Sequence, residues 1–186
     1  HSFGQRANRA IDDAREVIAK ELNTKPNEII FTASATEANN LAIRGVVKSF
    51  RNPAKVKDGT LGASITSPCP LERSSLTSFL ENKNHHIITS AIEHKSILET
   101  FSDLEKNGAE VTYLPVTNGG FVRVEDVENA MRESTVLVSI GYVNSEIGVI
   151  QPIREISQAI KRENSATIFH TDAVQAVNYL DCNINN

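Results

Sequence analysis

Several features that would narrow a function are missing from this sequence. Only two cysteines occur, Cys69 and Cys182, far apart in the chain. They build no disulfide framework, which suits a reducing compartment and is otherwise uninformative. No run of eighteen apolar residues exists, so no membrane-spanning helix is expected. Neither sign of charge dominates: 19 Lys and Arg against 23 Asp and Glu give a net charge of -4 and a pI near 5.8. Nucleic acid is therefore not expected as the main partner. No His or Cys spacing suggests a metal site. No Gly-x-Gly-x-x-Gly follows an apolar run, which counts against a dinucleotide-binding domain. Residue 1 is His rather than Met, and the last residues carry no stop signal, so the chain is expected to be a piece of something longer.

What is present reads as an ordinary folded domain. The 186 residues are 40% apolar and 23% charged, close to globular averages. That length suggests one domain, or one and part of another, with a substantial core. Residues 5–22 read as an amphipathic helix with Ala10, Ala14, Val17, Ile18 and Leu22 on one face. Glu28–Thr32 reads as a short strand. Ser34 and Glu37 have capping-box spacing and open a second helix, whose apolar face continues through Leu41, Ala42, Gly45 and Val46. Residues 51–84 are rich in Ser, Thr, Pro and Asn without a sustained period, as in a surface insertion.

Beyond the insertion, strands and helices alternate. Ile87–Ser90 is a strand. A helix follows with Ile97, Leu98, Phe101 and Leu104 in one stripe, ended by Gly108. Val111–Val116 is a strand closed by Asn118-Gly119-Gly120, and Val124–Arg132 a helix. Val136–Ile140 is a nearly continuous apolar strand. Pro152 starts a helix with Ile153, Ile156, Ala159 and Ile160 inward, and Ala166–His170 is the last strand. Strands apolar on both faces imply a mainly parallel sheet between two helix layers, an α/β fold of three layers.

In such a sheet, ligands collect beyond the carboxyl ends of the strands. Four groups of residues fall there. Ser34, Ala35 and Thr36 stand at a helix N-terminus, where free amides and the helix dipole favour an anion, or where they simply cap the helix. Glu93-His94-Lys95 brings an imidazole that could stack on a flat ring or move a proton, or could be a surface residue. Asn144, Ser145 and Gly148 lie in a loop with hydrogen-bonding capacity and a tight turn. Asp172 and Gln175 follow the last strand. A carboxylate there needs a partner, such as a pyridinium nitrogen, unless it caps the next turn. Together the four groups describe a pyridoxal phosphate site.

These segments resemble a known family. Ser34-Ala35-Thr36-Glu37-Ala38-Asn39-Asn40-Leu41-Ala42-Ile43, Glu93-His94-Lys95, Asn144-Ser145-Glu146-Ile147-Gly148-Val149-Ile150-Gln151-Pro152 and His170-Thr171-Asp172-Ala173-Val174-Gln175-Ala176 are similar to the NifS/IscS-type cysteine desulfurases. His1-Ser2-Phe3-Gly4 matches the family too. The likeness covers nearly the whole chain outside 51–84. It implies a pyridoxal 5'-phosphate enzyme of fold type I, with residues 1–186 forming part of an aspartate-aminotransferase-like large domain. The implied activity removes sulfur from L-cysteine, giving L-alanine and an enzyme persulfide. The implied setting is a homodimer serving iron–sulfur scaffold or other sulfur-acceptor proteins and tRNA thiolation, in the cytoplasm or alternatively the mitochondrion.

Carried over by position, Ala35 and Thr36 would hold the cofactor phosphate. His94 would stack on the ring and assist proton transfer. Asp172 would pair with the ring nitrogen, and Gln175 with the ring hydroxyl. Asn144 and Ser145 occupy a cofactor- or substrate-contacting pair. Ser145 replaces the usual second Asn, which shortens or removes that contact, and Ser34 replaces the usual Gly. None of the nine lysines matches the imine-forming position, and neither Cys69 nor Cys182 matches the persulfide position. The chain alone is therefore expected to be inactive. The rival readings are a related fold-type I lyase, such as one acting on selenocysteine, and a non-catalytic module of the same fold.

Overall fold

The computed structural model describes residues 2–51 and 85–184. The insertion expected over 51–84, with Cys69, lies outside them apart from Arg51. Helix α1 spans Ser2–Glu21, a 3-10 turn Pro26–Glu28, and helix α2 Ala35–Arg51. Then come β1 (His86–Ser90), α3 (Lys95–Lys106), β2 (Glu110–Leu114) and α4 (Val124–Ala130). Strand β3 (Thr135–Ser139), α5 (Ile153–Glu163) and β4 (Ile168–His170) complete the order.

The four strands pair in the order β2-β1-β3-β4, every pair parallel. Parallel neighbours need crossovers, and α3, α4 and α5 supply them. Alternation along each strand sends side chains to opposite faces. Ile87 and Leu137 thus join Ile43 and Val47 of α2 and Ile97, Phe101 and Leu104 of α3 in one core cluster. Ile88 and Val138 join Val127 of α4 and Ile156 and Ile160 of α5 in the other. The register slips between His86 and Ile87, so that His86 faces Thr135 and Ile87 faces Leu137. This bulge puts Val136 and Leu137 in the same cluster, both fully buried. The expected three-layer arrangement is the observed one. Among the described residues no helix is long and apolar enough to cross a membrane.

Three local expectations are corrected. Glu28–Thr32 forms no strand: Pro26–Glu28 is a 3-10 turn and the following residues pair with no strand among the described residues. A strand exists only through a partner's hydrogen bonds, and Ile30 and Phe31 stay 59% and 47% exposed. Helix α2 buries Asn39, Ile43 and Val47, at the i, i+4, i+8 spacing, while Leu41, Ala42 and Gly45 face outward. Helix α1 forms, but of its residues only Ala19 is buried, and Val17 remains 69% exposed.

Candidate active site

Every described strand-end group reaches one place. The loops after β1, β3 and β4 and the first turn of α2 enclose a cavity of about 490 Å³. Its lining includes Ala35, His94, Asn144, Ser145, Asp172 and Gln175, six of the seven residues singled out from the sequence. Thr36, the seventh, is not in the lining; it follows Ala35 in the first turn of α2, exposed. The volume suits a small organic ligand.

The N-terminus of α2 is half of a capping box. Ser34 Oγ accepts the Glu37 amide at 3.2 Å, but the Glu37 carboxylate accepts from Ala33 N at 2.7 Å rather than from Ser34. The Ala35 and Thr36 amides keep no acceptor among the described residues, so the helix end retains donors for an anion.

The loop after β3 is a small hairpin. Tyr142 N donates to Asp172 O at 2.9 Å, and Val143 bridges Ile150 in antiparallel fashion. Asn144 shapes the turn: its Oδ1 accepts the Glu146 and Ile147 amides at 2.9 and 3.2 Å, and its Nδ2 donates to Ile92 O at 2.8 Å. Gly148, with φ +71, closes the turn as its amide bonds Asn144 O at 2.8 Å. Ser145 is exposed on the cavity side of this turn. Buried Gln151 anchors the hairpin base, accepting Val122 N at 2.9 Å and donating to Gly120 O at 2.7 Å.

Asp172 receives the Val174 amide on Oδ1 at 3.0 Å, an Asx turn, and the Asn39 amide on Oδ2 at 2.8 Å. Next to it, Glu93 accepts Ser90 Oγ at 2.5 Å and the Gly141 amide. Burial holds the Glu93 carboxyl above its usual range, with Asp172 adding to the shift and the Ser90 and Gly141 hydrogen bonds opposing it. His170 is lowered, by burial foremost, against the opposing charge of Asp172. Its Nδ1 lies 2.8 Å from Ser139 Oγ. His94 caps α3: its Nδ1 accepts the Ser96 amide at 3.2 Å and lies 2.9 Å from Ser96 Oγ. Lys95 begins α3 at the cavity edge.

The sequence reading gave no role to Asn39, Ser96, Glu93 or Gln151. One signal was available: Asn39 shares the 3.6-residue stripe of Ile43 and Val47, and a polar side chain on a buried stripe demands a partner.

A parallel sheet between helix layers, with a strand-end cavity holding a helix N-terminus, an imidazole and a carboxylate, places the chain among the α/β large domains of fold-type I pyridoxal phosphate proteins. The class-V aminotransferase family model matches residues 1–58 and 72–186, and the chain belongs to that family. It is 43% identical over 185 residues to the mitosomal cysteine desulfurase of Encephalitozoon cuniculi, covering 100% of this chain and 36% of that protein. It is 40% identical over 184 residues to the cysteine desulfurase IscS of Clostridium botulinum, covering 99% of this chain and 38% of that protein. A solved NifS-like protein superposes with a TM-score of 0.81 at 33% identity, covering 100% of this chain and 43% of its own. The chain thus spans well under half the length of these relatives.

Proposed function

We propose that this chain is the cofactor-holding part of a pyridoxal 5'-phosphate-dependent cysteine desulfurase. The observation that carries the reading is the convergence of the α2 N-terminus, His94 and Asp172 on one cavity. The donor set fits the group: two helix-end amides for a phosphate, a hydrogen-bonded carboxylate for a pyridinium, and an imidazole at the cavity wall. When bound, the cofactor supplies an electron sink for the substrate's reacting carbon.

The chain's own residues orient and hold. Ala35 and Thr36 would take the phosphate on their amides, with the Thr36 hydroxyl alongside. Asp172, fixed by Asn39 and Val174, would keep a proton on the ring nitrogen. Gln175 would meet the ring hydroxyl. His94 would stack on the ring and move a proton at Nε2, since its Nδ1 is committed to Ser96. Asn144 holds the hairpin that presents Ser145. The substrate is L-cysteine, and the products are L-alanine and a persulfide for sulfur-acceptor proteins, iron–sulfur scaffolds among them. The reading carries a homodimer. It places the protein in the cytoplasm, with the mitochondrion as the alternative location, since the similar proteins include bacterial and mitochondrial ones.

The test is an absorption and fluorescence titration of the cofactor-stripped purified protein with pyridoxal 5'-phosphate. Saturable binding, weakened at least about tenfold by Asp172→Ala, is expected. Absence of saturable binding, or an unchanged affinity in that variant, overturns the reading of the site. Alanine formation from L-cysteine, with sulfide freed from the persulfide by an added thiol reductant, by the longer protein of which this chain would be the cofactor-holding part then tests the substrate.

A further inference from the structure

A connected polar path runs between the two side chains to which the proposed function gives the most. The Ser96 backbone amide donates to His94 Nδ1 at 3.2 Å. A backbone N–H can only donate, so Nδ1 must present its lone pair. The Ser96 hydroxyl, 2.9 Å from the same nitrogen, must then donate to it as well. With its proton directed there, Ser96 Oγ is left as an acceptor, and Asn39 Nδ2 fills that role at 3.0 Å. The second hydrogen of the same amide reaches Asp172 Oδ2 at 2.8 Å. Asn39 is 5% exposed and Ser96 6%, so water competes little for these bonds. Thr100 Oγ1 donates to Ser96 O at 2.7 Å and fixes the first turn of α3 beneath it.

We propose that Asn39 and Ser96 are positioning residues that fix His94 as its Nε2–H tautomer and tie its orientation to the carboxylate of Asp172. The path allows one direction of donation: Asn39 to Asp172 and Ser96, then Ser96 to His94. Nε2, with its proton, is the ring atom left for chemistry in the cavity. The use of that proton rests on the proposed function; the tautomer does not.

The experiment is a long-range 1H–15N correlation spectrum of the cofactor-stripped protein labelled with 15N-histidine. His94→Gln assigns the His94 signal. In spectra recorded at a pH high enough for histidine rings to be neutral, the unsubstituted protein is expected to carry the His94 ring proton on Nε2. Ser96→Ala removes one of two donors and is expected to lower the Nε2–H to Nδ1–H ratio about five- to tenfold. Ser96→Thr keeps the hydroxyl and restores the ratio. Asn39→Ala frees the Ser96 hydroxyl to turn away and lowers the ratio about two- to threefold. A neutral ring carrying its proton on Nδ1 in the unsubstituted protein overturns the proposal, whether or not any variant folds. So does a ratio untouched by Ser96→Ala in a folded variant. Because the spectrum is taken without cofactor, a failed cofactor titration sinks the proposed function and leaves this result standing.

Discussion

The Gly141 amide donates to both carboxylate oxygens of Glu93, at 3.1 Å to Oε1 and 3.0 Å to Oε2. The loop after β1 is thereby pinned to the residue just beyond β3, across the floor of the cavity. A side chain at the donor fits only if the carboxylate gives way: a Cβ on Gly141 would stand 3.0 Å from Glu93 Oε2.

Gly141→Ala should therefore displace the Glu93 carboxylate and cost about 1–3 kcal/mol, read from urea unfolding. Glu93→Gln isolates the charge. Burial, the main cause, raises the Glu93 pKa above its ordinary 4.5 in the folded protein. Its stabilising contribution is fully present below 4.5 and is lost as pH rises through the higher folded value. The difference in unfolding free energy between the unsubstituted protein and Glu93→Gln should shift in favour of the variant as pH rises above that window. A difference independent of pH would show that Glu93 carries no buried charge.

His86 makes the opposite prediction at the other end of the same strand. Its ring spans three strands, with Nδ1 2.8 Å from Thr135 Oγ1 and Nε2 2.8 Å from Thr112 Oγ1. Burial, with the nearby Arg132 charge second, lowers its pKa from 6.5 to about 4. The unfolded chain takes up the proton first, so the stabilisation present above 6.5 is lost as pH falls toward about 4. The loss is up to about 3 kcal/mol. Urea midpoints measured at pH 7.5 and 4.5 should differ less in His86→Gln than in the unsubstituted protein.

These two sites mark what a linear reading can and cannot reach. The strand 136–140 was legible because a parallel strand buried on both faces is almost purely apolar, and 87–90 because its Ile87-Ile88 pair breaks a long polar stretch. The strand-end rule then led from 87–90 to His94, from 136–140 to Asn144 and Ser145, and from the last strand, 166–170, to Asp172 and Gln175. The bulge at Val136 was not legible, because it is a mismatch between two strands rather than a property of one. Nor was the fate of Glu28–Thr32, whose composition suits a strand that finds no partner among the described residues. The α2 face was read one step out of phase: a stripe through Ile43 and Val47 required a polar Asn39 to point inward. Misplacing that stripe hid Asn39 itself, and with it the route from Asp172 to Ser96.

Gln151 should matter to the architecture of the hairpin rather than to its chemistry. It is 4% exposed and satisfies Val122 N and Gly120 O together. Gln151→Leu keeps the volume and orphans both backbone groups. A loss of about 2–4 kcal/mol is expected, with little change in denaturant m-value. A loss within about 0.5 kcal/mol would mean that the two backbone groups find other partners.

Ser34 tests the helix end that would hold the phosphate. Its hydroxyl accepts the Glu37 amide at 3.2 Å, among the described residues the one side-chain bond given to the first turn from outside α2. Ser34→Ala removes that acceptor and should cost about 1 kcal/mol, whereas Ser34→Gly should cost only a few tenths of that amount. The glycine variant carries the sharper question, because the family resemblance expects Gly at this position. The Ala35 and Thr36 amides need no help from the Ser34 hydroxyl to meet an anion. Ser34→Gly should then bind pyridoxal 5'-phosphate within about twofold of the unsubstituted protein while unfolding at nearly the same urea concentration. A tenfold loss of cofactor affinity with unchanged stability would instead place the hydroxyl of Ser34 among the phosphate ligands, and would make its replacement of glycine a gain of a contact.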